Sequence, residues 1–333
     1  MQLDGIASAR DEDNGLGHSG LAIGVDIGGT KIAFGVISGT GEVLDHEVVP
    51  TPCEDQEAIV DLICTTTMRL RTRHSGIEAL GVGAAGWVDW PTGIIHYSPY
   101  IAFKELPIRQ LLEDGTGLPL VVDNDANMAV WAESQFGAGR GVLNLLLLTL
   151  GTGVGGGLII GGEIYRGSNC LGAEVGHLAV DPGGELCGCG NRGCFETRAS
   201  GTALVRAARA RVASDPGCGL ARLVGGNVTL TGEAVTHAAQ AGDETARELL
   251  SEIGYWCGLG AASLVAILDP ALIVIAGGMA RCGELLLAPM RGSLEEHVFA
   301  RGHRSPPPVV VSSLDTKAGV IGAGSLAMHA RRA

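Results

Sequence analysis

The sequence predicts an α/β fold with two similar lobes, in which two glycine-rich turns face each other across a cleft that would hold the functional site. The first observation is a repeated plan. Strand, glycine turn and strand are predicted by LAIGVDIGGTKIAFGVIS (21–38) and again by NLLLLTLGTGVGGGLIIGGEIYRG (144–167). These units lie roughly 120 residues apart, as expected of a duplicated architecture. The second observation is that strands alternate with helices between them, which is typical of an α/β layer.

The pattern of apolar residues assigns the remaining elements in order. Between the two units it predicts a helix at 54–73, a strand at 78–84, a loop to about residue 105, a strand at 119–122 and a helix at 125–135. Helices at 198–213 and 231–268 follow, then an apolar strand at 272–278 and a tightly packed final helix from Ala318 onward. The flexible residues of FGAGRG place a boundary between the lobes near 136–143, and residues 1–20 are expected to form a flexible tail.

Composition favours a globular protein that acts on a small molecule. Of 333 residues, 46% are hydrophobic and 18% are charged. The formal net charge of −13 argues against nucleic acid or an acidic membrane as a partner, because both attract clustered Lys and Arg. The nine cysteines do not form the pattern of a secreted disulfide framework, and residues 1–20 contain no apolar signal-peptide core. Glycine clusters and Asp269-Pro270 interrupt the weakly charged stretches 142–162 and 257–280, which favours buried strands and helices there. The expected location is cytoplasmic.

The turn GVDIGGTK (24–31) has the composition of a phosphate-binding site. Successive backbone N–H groups form an anion-binding concavity, glycine lets that backbone approach a phosphate closely, and the threonine adds a donor. An aspartate beside a polyphosphate would repel it, so we expect Asp26 to act through Mg²⁺. The candidate nucleotide contacts are Asp26, Gly28, Gly29, Thr30 and Lys31 in this turn, and Gly151, Thr152 and Gly153 in the second.

Two other interpretations of the glycine turns are open. An ordinary turn would explain the glycines alone. A dinucleotide site is suggested by GVGAAG (81–86) and GTGVGG (151–156), but that motif needs a helix directly after the glycines, and neither following segment predicts one. The sequence contains no GxxxxGK[ST], which disfavours a P-loop enzyme.

Asp123-Asn124-Asp125 stands between a predicted strand and a predicted helix. An Asp in this position commonly caps the helix. In a phosphotransfer site, the same carboxylate can take the proton of an attacking hydroxyl while a neighbouring amide holds that hydroxyl in line. Asp125 is therefore a candidate general base, and Asn124 a candidate positioning group.

The segment from Glu174 to Glu196 contains a metal-site pattern. Its four candidate ligands have the spacing Hx9CxCx4C and fit a closed, structural Zn²⁺ site; they are His177, Cys187, Cys189 and Cys194. The second ring nitrogen of the histidine could donate to a sugar hydroxyl, and Glu174 and Glu196 could accept from others. The alternatives are unrelated buried thiols beside a core histidine, or a redox role.

Together these motifs resemble the ROK family (repressor, open reading frame, kinase), and within it the bacterial ATP-dependent glucokinases. The resemblance rests on DIGGTK (26–31), VVDNDAN (121–127), LTLGTGVGGG (148–157), GAEVGH (172–177), CGCGNRGCFE (187–196) and VIAGG (274–278), in the family's order. It implies a two-domain, actin-like ATPase (ribonuclease H-like) sugar kinase fold with an interdomain cleft. The implied domains are 21–138, on which a helix at 315–333 packs back, and 139–314, which contains a zinc-binding loop at 177–194.

The resemblance also implies transfer of the γ-phosphoryl group of ATP to the 6-hydroxyl of glucose, with Asp125 as the base. ATP, Mg²⁺ and a structural Zn²⁺ are the implied cofactors, and a homo-oligomer, dimer or tetramer, is the implied assembly. The implied sugar contacts are Gly86, Asn124, Asp125, Glu174, His177 and Glu196. In the family pattern Gly277 and Gly278 border the nucleotide.

Other substrates and one non-catalytic role are alternatives. Many family glucokinases carry Asn where this chain has Ser98-Pro99-Tyr100, a departure that leaves the outer sugar contacts open. Trp87 and Pro99 stand where N-acetylmannosamine kinases look to use polar residues, which favours a plain hexose over that substrate. A sugar-sensing regulator of the family would carry a winged helix-turn-helix before the first glycine turn, and residues 1–20 do not resemble one.

Overall fold

The computed structural model describes residues 20–225 and 229–331, so the predicted tail lies almost wholly outside the described residues. The strands are β1 (Leu21–Ile27), β2 (Lys31–Ser38), β3 (Val43–Pro50), β4 (Ile77–Ala84), β5 (Trp87–Asp89), β6 (Ile94–Tyr97), β7 (Lys104–Leu106), β8 (Leu120–Asn124), β9 (Leu145–Leu150), β10 (Val154–Ile160), β11 (Glu163–Ile164), β12 (Leu272–Ala276) and β13 (Val309–Val311). The helices are α1 (Gln56–Arg73), α2 (Ile108–Thr116), α3 (Asp125–Phe136), α4 (Glu196–Ala199), α5 (Gly201–Ser214), α6 (Gly219–Gly225), α7 (Gly232–Gln240), α8 (Glu244–Leu268), α9 (Glu284–His297) and α10 (Ala318–Ala330).

The described residues group into two compact units. The first contains the chain up to Leu145, Gly157–Ala173 and the residues from Ser313 onward; the second contains Leu146–Gly156 and the described part of Glu174–Ser312. The sequence-based boundary near 136–143 assigned 157–173 to the other lobe. The structure groups this segment with the first unit, where β11 contacts α3 and Arg166 bonds to Asp123.

The first sheet has the strand order β3-β2-β1-β4-β8. β2 is antiparallel to β1 and β3, whereas β1, β4 and β8 run parallel. The register places Asp26 of β1 beside Gly83 of β4, and Gly83 beside Asp123 of β8. Because parallel strands open at their carboxyl ends on the same edge of a sheet, the β1–β2 turn and the β8–α3 junction lie on one edge.

Helix α10 covers the first sheet through unusually close backbone contacts. It packs on β1, β2, β4 and β8, and against α3. A Cβ at Gly24 or Gly81 would overlap the carbonyl of Val320 or Ala323, and a Cβ at Gly322 would overlap the carbonyl of Met128. Glycine at these three positions, two in the strands and one in the helix, is therefore required for the packing, and the predicted final helix is confirmed.

The core of the first unit is mainly aliphatic. Ile59, Ile63 and Leu70 of α1, with Ile108 and Leu112 of α2, join the buried residues of β1, β2, β4 and β8 in one cluster. Burial of these side chains supplies the main driving force for folding this unit. The predicted helix at 54–73 and the predicted strand at 78–84 are confirmed as α1 and β4.

A small antiparallel sheet, ordered β5-β6-β7, occupies the stretch predicted as a loop up to residue 105. Each of its strands has three or four residues. Strands this short carry too few positions for an alternating pattern to stand out, which explains the difference. The sheet pairs Trp87 with Tyr97 and so gives the residues around Gly86 a fixed backbone.

The second sheet has the order β11-β10-β9-β12-β13, and every residue of β12 is buried. The predicted helix at 231–268 is broken into α7 and α8. The break has a local cause: Gly242 has a positive φ of 101°, and the side chain of Asp243 accepts a hydrogen bond from the Ala246 N–H, which caps α8. Helix α9, which the sequence did not predict, packs along α8.

Among the described residues, one helix, α8, is long and apolar enough by length and composition to cross a membrane. In this protein 56% of its apolar window is buried, and it contacts α4, α5, α6, α7 and α9 of the second unit. The stretches 142–162 and 257–280 form strands β9, β10 and β12 and the end of α8, as predicted.

Candidate active site

The β1–β2 turn is a tight hairpin with an exposed tip. The Gly28 N–H donates to the Lys31 carbonyl (3.0 Å), and Thr30 and Lys31 are exposed. A Cβ at Gly29 would lie 2.8 Å from the Cβ of Tyr100, so only glycine fits against the loop that carries Ser98-Pro99-Tyr100. The predicted phosphate turn thus lies directly against the predicted sugar loop within the first unit.

Asp26 lies just before this turn and is partly buried. Burial, together with repulsion from the Asp125 carboxylate, raises the pKa of Asp26 to about 7, while Lys31 acts in the opposite direction. A Cβ at Gly319 would overlap the Asp26 carboxyl, so the start of α10 also lies beside it. Of the two predicted site carboxyls, that of Asp125 is therefore close enough to that of Asp26 to raise its pKa.

The β8–α3 junction shows that Asn124, and not Asp125, caps the helix. The Asn124 Oδ1 accepts from the N–H groups of Ala126 (2.8 Å) and Asn127 (3.3 Å), and its Nδ2 donates to the Gly86 carbonyl (3.2 Å). Asp125 is the first residue of α3, and its Oδ1 accepts from the Ala126 N–H (2.9 Å). The capping interpretation of Asp125 is therefore wrong. The Asn124 amide carries two N–H groups, and the second is a candidate donor to a ligand hydroxyl.

Asp123, which the sequence analysis did not place in the site, is a buried anchor for this junction. Its Oδ1 accepts from the Asn124 N–H (2.7 Å) and from Asn127 Nδ2 (2.9 Å), and its Oδ2 accepts from Arg166 Nε (2.7 Å). Burial raises the pKa of Asp123, and the Arg166 guanidinium opposes that shift. The guanidinium also lies 3.6 Å from the ring centroid of Trp90, a cation–π contact.

The backbone conformation and close surroundings of position 86 require glycine. Its φ is 131°, and a Cβ there would overlap the Tyr97 carbonyl and lie 2.9 Å from Ser98 Cα. The neighbouring Trp87 donates from its indole nitrogen to the Asn169 carbonyl (3.2 Å). The structure therefore places Gly86 between Asn124 and the 98–100 loop, within the group of residues predicted to contact the sugar.

In the second unit, the β9–β10 turn is supported from behind by the start of α5. The Gly151 N–H donates to the Gly153 carbonyl (3.0 Å), and the Gly201 N–H donates to the Gly151 carbonyl (2.7 Å). Thr202 Oγ1 donates to the Thr152 carbonyl (2.7 Å). The carbonyls are thus held on the protein side, which is the arrangement that lets backbone N–H groups face an anion.

The predicted nucleotide glycines Gly277 and Gly278 follow β12. Gly277 has a φ of 85°, and a Cβ there would lie 2.5 Å from the Leu150 carbonyl oxygen at the end of β9. A Cβ at Gly278 would meet nothing within 4 Å. Gly277 therefore lies beside the start of the β9–β10 turn, and Gly278 borders open space.

The four predicted zinc ligands come together. The ligand atoms of His177, Cys187, Cys189 and Cys194 all lie within 4.8 Å of one another. The Cys187 Sγ to His177 Nδ1 distance is 3.6 Å, and the Cys189 Sγ to Cys194 Sγ distance is also 3.6 Å. Tetrahedral zinc with its usual bond lengths would give roughly 3.6 Å and roughly 3.8 Å for these separations. The donor set and its size fit this ion.

Glu196, the first residue of α4, lies against this cluster. Its Oε1 accepts from Cys187 Sγ (2.9 Å) and lies 3.8 Å from His177 Nδ1. Burial, with a further contribution from Glu196, raises the pKa of the Cys187 thiol. Since a bound metal cation deprotonates a coordinating thiol, it would reverse that shift. Glu174 is exposed and directly precedes the single helical turn that carries His177.

Comparison with known proteins finds matches along nearly the whole chain. The ROK family model matches residues 22–330. The chain is 42% identical over 311 residues to a glucokinase from Streptomyces coelicolor, covering 92% of this chain and 98% of that protein.

Two crystal structures are similar over the same extent. A ROK family glucokinase from Streptomyces griseus, solved in complex with glucose and AMPPNP, has a TM-score of 0.85 at 42% identity and covers 93% of this chain and 100% of that one. The ROK hexokinase from Thermus thermophilus has a TM-score of 0.77 at 36% identity, with coverage of 94% and 99%. These likenesses confirm the predicted two-domain, actin-like (ribonuclease H-like) α/β sugar kinase fold. By sequence and by structure, the chain belongs to the ROK family.

Proposed function

We propose that this protein is an ATP-dependent glucokinase, which transfers the γ-phosphoryl group of ATP to the 6-hydroxyl of glucose. The named activities of its relatives support this, as does the complex of the Streptomyces griseus enzyme with glucose and AMPPNP. The observation in this chain that carries the proposal is the pair of interacting carboxyls, Asp26 and Asp125, on one edge of the first sheet. Phosphoryl transfer needs both a carboxylate that can bind a cation and a base at the attacking hydroxyl.

Asp125 is proposed as the general base. Its carboxylate accepts the proton of the 6-hydroxyl while the new oxygen–phosphorus bond forms and the bond to the ADP leaving group breaks. A base works best when its pKa lies near the working pH, and burial raises the pKa of Asp125 from its ordinary value towards that range. The hydrogen bond from the Ala126 N–H fixes the orientation of the carboxyl.

The nucleotide is proposed to lie on the two glycine turns. The amides of Gly29 and Gly153 would stabilise negative charge on the phosphoryl oxygens. Gly28 and Gly151, whose N–H groups close the two turns by hydrogen bonds, would let the backbone approach the phosphates closely. Asp26 would hold Mg²⁺, which neutralises phosphate charge when bound. Oxygen donors suit this ion, and a cation would relieve the repulsion between Asp26 and Asp125. Thr30, Lys31, Thr152, Gly277 and Gly278 complete the proposed nucleotide contacts.

The sugar is proposed to contact Gly86, Asn124, Glu174, His177 and Glu196. His177 Nδ1 faces the cysteine cluster, so its Nε2 is the nitrogen that would donate to a hydroxyl. Zinc would be held by His177 and the three cysteines, where it supplies structural stability. A zinc-bound thiolate has no proton to donate to Glu196, so zinc binding would free that carboxylate to accept from the sugar.

Replacement of Asp125 tests the mechanism. We expect Asp125→Asn to lower kcat by about 10²- to 10⁴-fold, the usual cost of losing a general base. Glucose binding, measured by calorimetry, should stay within about tenfold, because the variant keeps the size and polarity of the side chain. Asp114→Asn, an exposed aspartate on α2, is the matched control and should keep wild-type turnover. Undiminished turnover in Asp125→Asn would remove the base assignment.

Substrate choice is tested by an ATP-coupled assay over glucose, mannose, fructose, allose and N-acetylmannosamine. Glucose should give the highest kcat/KM. A higher value for another sugar would reassign the substrate. Sugar binding without turnover of any of the five would instead indicate a sugar-sensing protein. Polyphosphate in place of ATP tests the phosphoryl donor in the same assay.

We also propose a cytoplasmic location and a homo-oligomeric assembly, a dimer or tetramer. The acidic charge balance and the reduced cysteines that a zinc site requires support the first. The proposed homo-oligomeric assembly rests on analogy with the family. Light scattering on the purified protein would give the mass of the assembly directly, and the mass of a monomer would exclude the proposed oligomer.

A further inference from the structure

Thr51 lies outside every motif of the sequence analysis and holds the β1–β2 turn by two hydrogen bonds. Its Oγ1 donates to the Gly28 carbonyl (2.7 Å), and its N–H donates to the Thr30 carbonyl (3.2 Å). Thr51 therefore binds the carbonyl oxygens on both sides of Gly29. These bonds fix the turn by two of its carbonyls, while the Gly28 N–H closes the turn on the Lys31 carbonyl, so the Gly29 and Thr30 N–H groups are the candidate donors to a ligand.

The position of Thr51 follows from the register of the edge strand. β2 and β3 pair antiparallel with Lys31 opposite Pro50, so Thr51 stands opposite Thr30 as the next residue of the ladder. The bond from the Thr51 N–H to the Thr30 carbonyl makes these two residues the last hydrogen-bonded pair of the ladder, and the adjacent Lys31–Pro50 pair is a non-hydrogen-bonded one, where proline costs no bond. The following Pro52 restricts Thr51 to extended backbone angles.

The same short segment also contacts the loop that carries Tyr100. The Cys53 N–H donates to the Thr51 carbonyl (2.9 Å), and the Ala102 N–H donates to the Cys53 carbonyl (2.8 Å). On the other side of this loop, Tyr100 lies against Gly29. Residues 51–53 thus connect the β1–β2 turn to the 98–102 loop by backbone bonds.

We propose that Thr51 is a positioning residue for the nucleotide, which holds the carbonyls of Gly28 and Thr30 inward so that the Gly29 and Thr30 N–H groups face the phosphates. This inference rests on the proposed function, since it takes the β1–β2 turn to be the phosphate site. Thr51 makes no contact with substrate in this role. It acts through the turn, and so affects nucleotide binding more than the chemical step.

The test compares Thr51→Val with Thr51→Ser. Valine keeps the shape and removes the hydroxyl, whereas serine keeps the donor. We expect Thr51→Val to raise the Kd for Mg²⁺–AMPPNP and the KM for ATP by about tenfold, equivalent to about 1.4 kcal/mol. kcat and the KM for glucose should change by less than about threefold, and Thr51→Ser should recover nucleotide binding to within about threefold.

The control is Thr72→Val on α1, where the threonine hydroxyl also donates to a backbone carbonyl, that of Met68 (3.1 Å). It should leave nucleotide binding unchanged. If the role of Thr51 is purely structural, Thr51→Val should lower the urea midpoint and weaken glucose and nucleotide binding together. Thr51→Ser would then not restore nucleotide affinity selectively. That result, or wild-type nucleotide affinity in Thr51→Val, overturns the proposal.

Two readouts separate this inference from the proposed function. If the wild-type protein phosphorylates glucose while Thr51→Val binds Mg²⁺–AMPPNP normally, only the role of Thr51 fails. If the wild-type protein phosphorylates no sugar but Thr51→Val still weakens Mg²⁺–AMPPNP binding, the proposed reaction fails and the role of Thr51 stands. If the wild-type protein does not bind Mg²⁺–AMPPNP, both fail.

Discussion

Replacing Asp26 by asparagine should make the ligand-free protein more stable at neutral pH while removing its proposed cation ligand. The pKa of Asp26 is raised from 3.8 to about 7, first by burial and then by the nearby Asp125 carboxylate. A raised carboxyl pKa means that the folded state disfavours the charged form. Asparagine never carries that charge, so Asp26→Asn avoids the free-energy cost of burying a carboxylate in the folded state.

The sign and size of the effect follow from proton linkage. Below pH 3.8 Asp26 is protonated in both the folded and unfolded states and costs nothing. As pH rises towards 7, the unfolded state releases this proton first, so the free energy of unfolding falls, and above the folded pKa the loss is constant. Conversion at about 1.36 kcal/mol per pKa unit gives an upper value of about 4 kcal/mol, and screening by solvent at this partly buried site lowers it to about half.

Urea unfolding of the wild type and Asp26→Asn at pH 5 and pH 8, without nucleotide or divalent cation, measures this effect. The stability advantage of the variant should grow by about 1–3 kcal/mol between these pH values. Asp61→Asn, an exposed aspartate on α1, is the control and should show no such growth. With Mg²⁺–AMPPNP the advantage should shrink, because only the wild type gains binding energy from its carboxylate. An advantage that is the same at both pH values would refute the reasoning.

Three further substitutions test other parts of the structure. Arg166→Met should destabilise the protein by about 3–5 kcal/mol, because it leaves the carboxylate of Asp123 buried without its counter-charge. Adding Asp123→Asn should recover much of that loss in urea unfolding, and no recovery would show that the pair is not coupled. Cys187→Ser should lower zinc affinity by at least about 100-fold in a chelator competition and weaken glucose binding through His177; normal zinc content would contradict the ligand assignment. Gly322→Ala should cost about 1–3 kcal/mol because its Cβ would overlap a backbone carbonyl of α3, whereas Gly292→Ala in α9 meets open space and should be neutral or stabilising. Equal effects of the two glycine variants would contradict the close packing of α10.

Local patterns in the sequence were sufficient for much of the fold and for the metal cluster. The first hairpin, α1, β4 and α3 each have a pattern long enough to show its period, and all were predicted within a few residues. The cluster at His177 was predictable because three of its four ligands lie within eight residues, so the spacing itself carries the geometry.

Features that depend on distant contacts were not predictable. The Arg166–Asp123 pair joins residues 43 positions apart, and nothing near either residue indicates the other. The choice of Asn124 over Asp125 as the helix cap depends on where β8 ends, and both residue types cap equally well. Thr51 was missed because its role comes from the register of β3, an edge strand that the apolar pattern did not reveal.

The packing of α10 on the first sheet determines the order in which the two units can fold during synthesis. β1 and the helix that covers it are separated by nearly the whole chain, so at usual rates of synthesis roughly 15 to 60 s pass between their emergence from the ribosome. The glycine-lined surface of β1 and β4 has no cover from α10 until the end of that interval, and by then every strand and helix of the second unit has been made. We therefore expect the second unit to complete its folding first on the nascent chain, with the first unit a client for chaperones until translation ends.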